Sequence, residues 1–547
     1  MNLSAFAGRE AASVLALCAG LLAAPVLAQQ VLPLAAQSTP VETQRAFATA
    51  LAEAAAADPA VADFYSARGY APFWTGPADA ARRAALMSAL AGAASHGLPV
   101  ARYDPAAMIE AFRSARTQGD RGRLEVRMTL AFLDYARDVQ TGALVPSDVD
   151  EGIKREVAVR DRLANLWAFE AAPTPAGFLR ALPPGSQEYA RLIKAKFALE
   201  ARIAAGGWGE TVTAERLEPG AAGPAFIALR DRLVRMGYLP GSAAGQYDKS
   251  ITRAVRNFQA DHGLLSDGVA GASTIREINM GPEVRLKSIF AALERERWLN
   301  IDRGSRHIWV NLADYSAKIV DEGRVTFSTR AVIGDDSRAD KHTPEFSHMM
   351  TYMEVNPDWT VPPGIIRRDY LPRLQANPNA LGHLQLIDRR GRAVPRSAIN
   401  FAAYSAGNFP FSLRQAPGDS NALGKVKFMF PNAYSIYLHD TPHKEDFARE
   451  TRAISNGCIR LAEPFEFAYA LLSRQEADPR AAFDTVLDRG RQERISLQAP
   501  VPVHLDYRTA FTTAKGHTQF RRDVYGRDAM VYAALVKAGV AAVDEAR

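Results

Sequence analysis

The sequence predicts a multidomain α+β protein: a helical scaffold, then a small three-helix module, then a β-rich domain carrying an inserted cap. Three observations predict it. Ala-rich runs of strong helix formers fill residues 40–205. A Gly-rich stretch at 206–222 separates them from a compact segment whose apolar residues recur at helical spacing. From about residue 284 the texture changes to short strands and turns. A length of 547 residues suits three or four domains, and 48% hydrophobic with 23% charged residues marks most of the chain as globular.

The N-terminus reads as an export signal. Arg9 supplies positive charge, weakened by Glu10 beside it; an apolar run follows from Ala11 to about Ala24, and Val26-Leu27-Ala28 sets small residues at the cleavage offsets. This pattern predicts a signal peptide over residues 1–28, cut after Ala28, and a periplasmic location. An uncut membrane anchor is the other reading, but the run is Ala-rich and short for a span of about 20 residues. Leu17 stands before Cys18 where a lipobox needs a small residue, which excludes a lipoprotein. The net charge of +6 suits an anionic polymer and suits solubility equally. No basic-aromatic motif points to nucleic acid.

In the scaffold, Gln44–Ala57, Ala80–Ala94 and Leu124–Val139 are predicted helices, the second ended by Gly97-Leu98-Pro99, and Phe73-Trp74-Thr75-Gly76 is an aromatic turn between helices. Residues 206–222 read as a linker. In the module, residues 223–280, Phe226, Leu229, Leu233 and Met236 share one helical face stopped by Gly237. Ile251, Val255 and Phe258 form a second stripe, and Thr274–Ile278 starts a third helix. Within residues 284–530, His307–Leu312, Ala317–Val320, Arg324–Phe327 and Tyr434–Leu438 are predicted strands, and Pro464–Leu472 a helix. Residues 366–425, rich in Arg, Pro, Asn and Gly, interrupt the strands and predict a cap acting as a mobile lid. Residues 531–547 predict a C-terminal helix.

Removing residues 1–28 leaves Cys458 as the one cysteine. An exported protein normally pairs its cysteines, so an unpaired thiol needs a task or a burial place. The segment Ile436-Tyr437-Leu438-His439-Asp440, followed by Ser455-Asn456-Gly457-Cys458-Ile459-Arg460, supplies the task. A thiol nucleophile needs a base, and His439 at a strand end is a rigid place to present one. Gly457 lets the chain turn tightly, so that its N–H and that of Cys458 can face a developing oxyanion.

This segment resembles the catalytic signature of the L,D-transpeptidases: a His, a spacer of about fifteen residues, then Ser/Thr-His-Gly-Cys. His439 and Ser455-Asn456-Gly457-Cys458 match, with Asn456 where a second His is usual. Asn356–Pro362, Arg414–Gly418 and Lys427–Asn432 resemble the large periplasmic subgroup of that family, and the Phe73-Trp74 region resembles its scaffold domain. Residues 223–279 resemble a three-helix peptidoglycan-binding domain, through Gly237-Tyr238-Leu239, Tyr247-Asp248, Ala254–Gln259, His262-Gly263-Leu264, Asp267-Gly268-Val269 and Gly271.

The resemblance implies that Cys458 attacks the third stem-peptide residue and expels the terminal D-alanine, with His439 as base and the main chain of Gly457 and Cys458 as oxyanion hole. It implies that Asp440 or its carbonyl orients the imidazole, or that Asp440 is merely a solvated loop acid. Arg460 binds a substrate carboxylate or braces the loop. Ser455, Asn456, Tyr434 and Trp359 are candidate substrate contacts, and aromatic core is the alternative for the last two. Implied partners are peptidoglycan stem peptides, as donor and acceptor, with other cell-wall synthesis enzymes as further candidates. No cofactor and no metal are implied: His439 and His443 flank Pro442 in a loop, and neither a His-Glu-x-x-His motif nor a Gly-x-Ser-x-Gly elbow occurs. A non-catalytic wall-binding protein and an L,D-carboxypeptidase using water are the rival functions.

Overall fold

The computed structural model describes residues 40–241 and 243–543. The signal peptide expected at 1–28 lies outside the described residues. Among the described residues no helix is long and apolar enough to cross a membrane.

Helices from Pro40–Ala55 to Gln187–Ala204 build the N-terminal scaffold. Its axis is the helix Gln118–Thr141, started by a Thr117–Asp120 capping box. Glu125 on this helix is fully buried and explains the aromatic turn. Its carboxylate accepts the backbone N–H groups of Phe73 (2.9 Å), Trp74 (3.0 Å) and Thr75 (2.6 Å), and the Tyr65 hydroxyl (2.9 Å). One side chain thus satisfies three main-chain donors of an irregular segment buried under Trp74 and Phe73.

The three-helix module comprises Pro224–Arg235, Lys249–Asp261 and Ala272–Asn279. The stretch expected as a linker is part of it. Val212 and Leu217 join its core, Leu217 bridges Ala270, and Ala222 bridges Gln246. Three short helices leave one side of a small core open, and this strap closes it; the Gly-rich composition concealed two well-spaced apolar plugs.

Residue 284 is not the start of strand structure. The helix Pro282–Trp298 runs through the junction, buried along nearly its whole length. It packs Leu286, Ile289, Phe290 and Leu293 into the scaffold core. The Glu294-Arg295-Glu296-Arg297 run, which composition alone would place in solvent, is buried with it.

The C-terminal domain follows. Its strands are β1 (Arg306–Asn311), β2 (Ser316–Asp321), β3 (Arg324–Gly334), β4 (Phe346–Val355), β5 (Trp359–Thr360), β6 (Gln385–Ile387), β7 (Ala393–Val394), β8 (Ser412–Gln415), β9 (Val426–Met429), β10 (Leu438–His439), β11 (Ala453–Ser455), β12 (Ile459–Leu461), β13 (Glu493–Asp506), β14 (Ala510–Thr512) and β15 (Thr518–Phe520). The main sheet has the order β11-β3-β12-β10-β9-β4-β13-β1-β2, and β2 pairs back onto β3, so it closes on itself. The strand predicted over Tyr434–Leu438 is reduced to β10, because Ser435 sits in the left-handed region (φ +57°) and breaks the extended run.

A second small sheet, β5-β8-β6-β7, forms the cap around Leu371, Leu374, Leu386 and Leu413. It begins at Trp359 rather than near 366, since Trp359 and Val361 pack into its core. The final helix is Arg527–Lys537, earlier than expected and shorter, and Gly539 in the left-handed region follows its end.

Glu125→Ala should leave three buried N–H groups without acceptors and destabilise the scaffold by about 3 kcal/mol or more. Urea unfolding of the full chain checks this. A change below about 1 kcal/mol would mean that water replaces the carboxylate.

Candidate active site

The parallel pairing of β10 with β12 sets the site. Its register places Leu438 opposite Ile459 and His439 opposite Arg460, and the Ile459 N–H donates to the Tyr437 carbonyl (3.1 Å). Side chains alternate along a strand. Leu438 and Ile459 therefore share the core face, where both are fully buried. Tyr437, His439, Cys458 and Arg460 share the other face. They meet there in a cleft of about 610 Å³, roofed by cap residues including Trp359, Ile365 and Arg368.

Cys458 leaves β11 through an elbow held by four bonds. Ser455 Oγ donates to the Cys458 carbonyl (2.7 Å) and accepts the Gly457 N–H (3.1 Å). Thr343 Oγ1 donates to the Gly457 carbonyl (2.7 Å) and accepts the Gly334 N–H (3.0 Å). Gly457 has φ +118°, which strains any residue with a Cβ. Ser455 thus lines the cleft while its hydroxyl is committed to the loop, and Asn456 is exposed at the cleft wall. The Gly457 N–H, expected in the oxyanion hole, is taken by Ser455 Oγ. The Cys458 N–H has no hydrogen-bond partner among the described residues.

His439 is buried, and its Nδ1 contacts the Asp440 main-chain carbonyl. A carbonyl only accepts, so Nδ1 carries the proton and Nε2 keeps its lone pair. Of the possibilities for Asp440, its carbonyl is what touches the imidazole. The Asp440 carboxylate instead accepts the N–H groups of Lys425 (2.8 Å) and Thr441 (2.7 Å) and pairs with Lys444. Gly424 (φ +61°) makes room for it, since a Cβ there would stand 2.2 Å from that carboxylate.

Burial, aided by the positive charge of Arg460, lowers the His439 pKa to about 3. Burial raises the Cys458 thiol to about 11, against the pull of a Tyr437 hydrogen bond, Arg460 and Lys427. The pair therefore rests as neutral thiol and neutral imidazole, with Sγ 3.6 Å from the Ser435 carbonyl. Arg460 lines the cleft and is also braced by Asp446 (3.1 Å). Tyr434 is exposed on the cleft, edge-on to Phe346, while Trp359 is both cleft wall and cap core. Among the described residues no group of three or more His, Cys, Asp or Glu is placed to hold a metal ion.

Tyr437 was not singled out by the sequence reading. Its side chain lines the same cleft as Cys458 and favours the thiolate, and its ring lies 5.6 Å from that of His439. The signal was present: in a strand ending at His439, the residue two before it shares the same face. Thr343 had no comparable signal, since 114 residues separate it from Gly457.

Comparison with known proteins agrees with this fold. Residues 305–496 match the L,D-transpeptidase catalytic domain, residues 222–278 a provisionally named peptidoglycan binding domain, and residues 59–195 a scaffold domain. Residues 305–496 of the chain are thus similar to the catalytic domain of the L,D-transpeptidases. The chain is 32% identical over 226 residues to a protein of Haemophilus influenzae provisionally named L,D-transpeptidase; the match spans 41% of this chain and 45% of that relative. Two solved L,D-transpeptidases, from Xylanimonas cellulosilytica and Stackebrandtia nassauensis, are 15% and 14% identical, at TM-scores of 0.17 and 0.21. Those likenesses cover 54% and 55% of this chain and 100% and 98% of theirs, and at such scores they carry no argument.

A thiol that rests neutral should alkylate slowly at neutral pH. The iodoacetamide rate should climb about tenfold per pH unit and still be rising past pH 9. Tyr437→Phe, which removes a hydroxyl that favours the thiolate, should move the curve higher still. A plateau below pH 8 would show a resting ion pair instead. The same shifts act on stability. The folded state resists protonation of His439, so this contribution is present above the ordinary histidine pKa of about 6.5 and is lost as pH falls toward 3.

Proposed function

We propose that this protein is a periplasmic cysteine acyltransferase that forms 3-3 cross-links between peptidoglycan stem peptides. The observation that carries the proposal is the Asp440 carbonyl on His439 Nδ1, which fixes the tautomer whose free Nε2 shares one face with Cys458.

In this reading Cys458 Sγ attacks the carbonyl of the third stem residue as its proton passes to His439 Nε2. The negative charge on the carbonyl oxygen meets the Cys458 N–H. Collapse of the tetrahedral adduct breaks the bond to D-alanine, whose amine leaves with the proton from His439. The side-chain amine of a second stem's third residue then attacks the thioester and gives its proton to His439, which restores the thiol. Water in place of that amine gives a carboxypeptidase. The cap, resting over Cys458, is proposed as the lid that keeps water from the thioester. The N-terminal 28 residues are proposed to direct export and to be removed.

The experiment is digestion of sacculi after incubation with the enzyme, followed by mass analysis of the muropeptides for a bond between two third-position residues. Cys458→Ala should abolish that product and also abolish the adduct seen by intact mass with a carbapenem. His439→Ala should slow acylation by roughly 10²–10⁴-fold. Appearance of tripeptides without cross-links would favour the carboxypeptidase. Cross-links made by Cys458→Ala would overturn the proposal.

A further inference from the structure

Away from Cys458, three parts of the chain converge on a second cleft of about 630 Å³. One wall is the scaffold helix Gln187–Ala204, presenting Arg202. Another is the three-helix module, presenting Arg235 and Tyr238. The third is the β14–β15 hairpin of the catalytic domain, with Trp208 of the connecting strap between them. Clefts at domain junctions with a few converging polar groups are the usual sites of ligand binding.

The walls are fixed to one another. Glu188 accepts the Thr512 N–H (2.7 Å), which ties the scaffold helix to β14. Gln519 Nε2 donates to Asp261 Oδ1 (3.0 Å), and Arg521 donates to the Asp261 carbonyl (2.8 Å), which tie the hairpin to the module. The His262 ring lies between Phe258, at 3.9 Å, and Phe520, at 5.9 Å.

Charge in the cleft is one-sided. Its one lining carboxylate, Asp261, is already engaged by Gln519 and by the Tyr238 hydroxyl (3.2 Å). His262 stays neutral, because burial and then Arg285 hold its pKa well below the usual value. Arg202 and Arg235 form no ion pair among the described residues. Arg235 is moreover placed: its guanidinium crosses Gly209, beside Trp208, where a Cβ would stand 1.6 Å from a guanidinium nitrogen, and Gly209 has φ +84°. The site therefore offers two uncommitted guanidinium groups next to an indole and a phenol ring.

We infer that this cleft binds the carboxylates of a peptidoglycan stem peptide that is not itself undergoing reaction, with its alanine methyl groups against Trp208 and Tyr238. Arginine forks match carboxylates, and aromatic rings cover the short apolar side chains between them. The inference rests on the proposed peptidoglycan substrate. It adds that wall binding belongs to the junction of all three parts and not to the module alone. A second contact held at fixed distance from Cys458 raises the effective concentration of polymer at the active site.

The test uses the full chain carrying Cys458→Ala, so that binding is read without turnover. Sedimentation with sacculi compares it with forms that also carry Arg202→Gln and Arg235→Gln, or Trp208→Ala. The double arginine variant should bind at least tenfold more weakly, and Trp208→Ala should weaken binding severalfold. Sacculi stripped of stem peptides by an amidase should bind the parent weakly and show no further loss in the variants. In a Cys458-containing background, carbapenem acylation by the same variants should be unchanged, which establishes that they fold and separates this site from the chemistry. Unaltered sacculus binding, or an equal loss on stripped glycan, would overturn the inference even if Cys458 forms cross-links as proposed.

Discussion

The structure depends on placing four consecutive charged residues inside the protein. Glu294 to Arg297 occupy the last turns of a buried helix, and every one must find a partner there. Arg297 pairs with Glu294 (2.6 Å) and reaches the His96 carbonyl of the scaffold (2.8 Å). Arg295 meets Glu345 just before β4 (3.2 Å) and Asp528 of the last helix (3.3 Å). Glu296 pairs with Arg508, which also holds Asp506 at the end of β13. Such pairs gain little net stability, because desolvation consumes most of the attraction. Removing one member is another matter, at about 3–5 kcal/mol for the charge left behind. The arrangement therefore acts through orientation: scaffold, sheet and terminal helix fit together one way.

The candidate active site is attached to that junction by a short path. Arg527 donates to the Thr343 carbonyl (3.0 Å) and is tied to Asp150 of the scaffold (3.2 Å). The Glu345 N–H donates to the Gly152 carbonyl (2.8 Å), so a scaffold loop docks where β4 begins. Thr343, between these anchors, fixes the Gly457 carbonyl. The elbow bearing Cys458 is thus supported from the scaffold side through two residues, while His439 is supported from within the sheet. Their mutual position follows from how the domains dock as well as from the β10–β12 register.

Much of this was legible in the sequence, and the reasons differ from element to element. Helices with clean apolar stripes, such as Pro224–Arg235 and Lys249–Asp261, declare themselves because one face meets a core and the other meets water. Pro464–Leu472 follows from its proline start and apolar run. The helix Pro282–Trp298 did not declare itself, since a helix buried on all sides carries no polar face and its charges mimic a solvated surface. The strap at 206–222 was misread because glycine marks a tight path over a core as readily as a free linker. In the candidate site, local chemistry singled out His439 and Cys458, and the structure brings both to one cleft. Arg460 was recognisable as a cation but not its Asp446 brace, and Thr343 was invisible because its role exists only in three dimensions.

The neutral resting state of the Cys458–His439 pair has a consequence for where the proposed enzyme can work. Oxidation of a cysteine follows its thiolate character and its exposure. A permanently ionised thiol in a cleft open to an oxidising compartment would be modified between turnovers. Here the partly buried thiol keeps its proton, because its surroundings disfavour the thiolate; the Ser435 carbonyl faces it and cap residues line the same cleft. In the proposed mechanism the thiolate forms only as a substrate carbonyl arrives, and His439 Nε2 takes the proton in the same step. The same apolar surroundings that keep the thiol protonated remove the driving force of a preformed anion, so the proposed catalysis has to come from positioning: a tautomer fixed by the Asp440 carbonyl and an elbow locked by Ser455 and Thr343. Protection and reactivity are reconciled by geometry, which is why the support of the elbow reaches back to the buried charges of the domain junction.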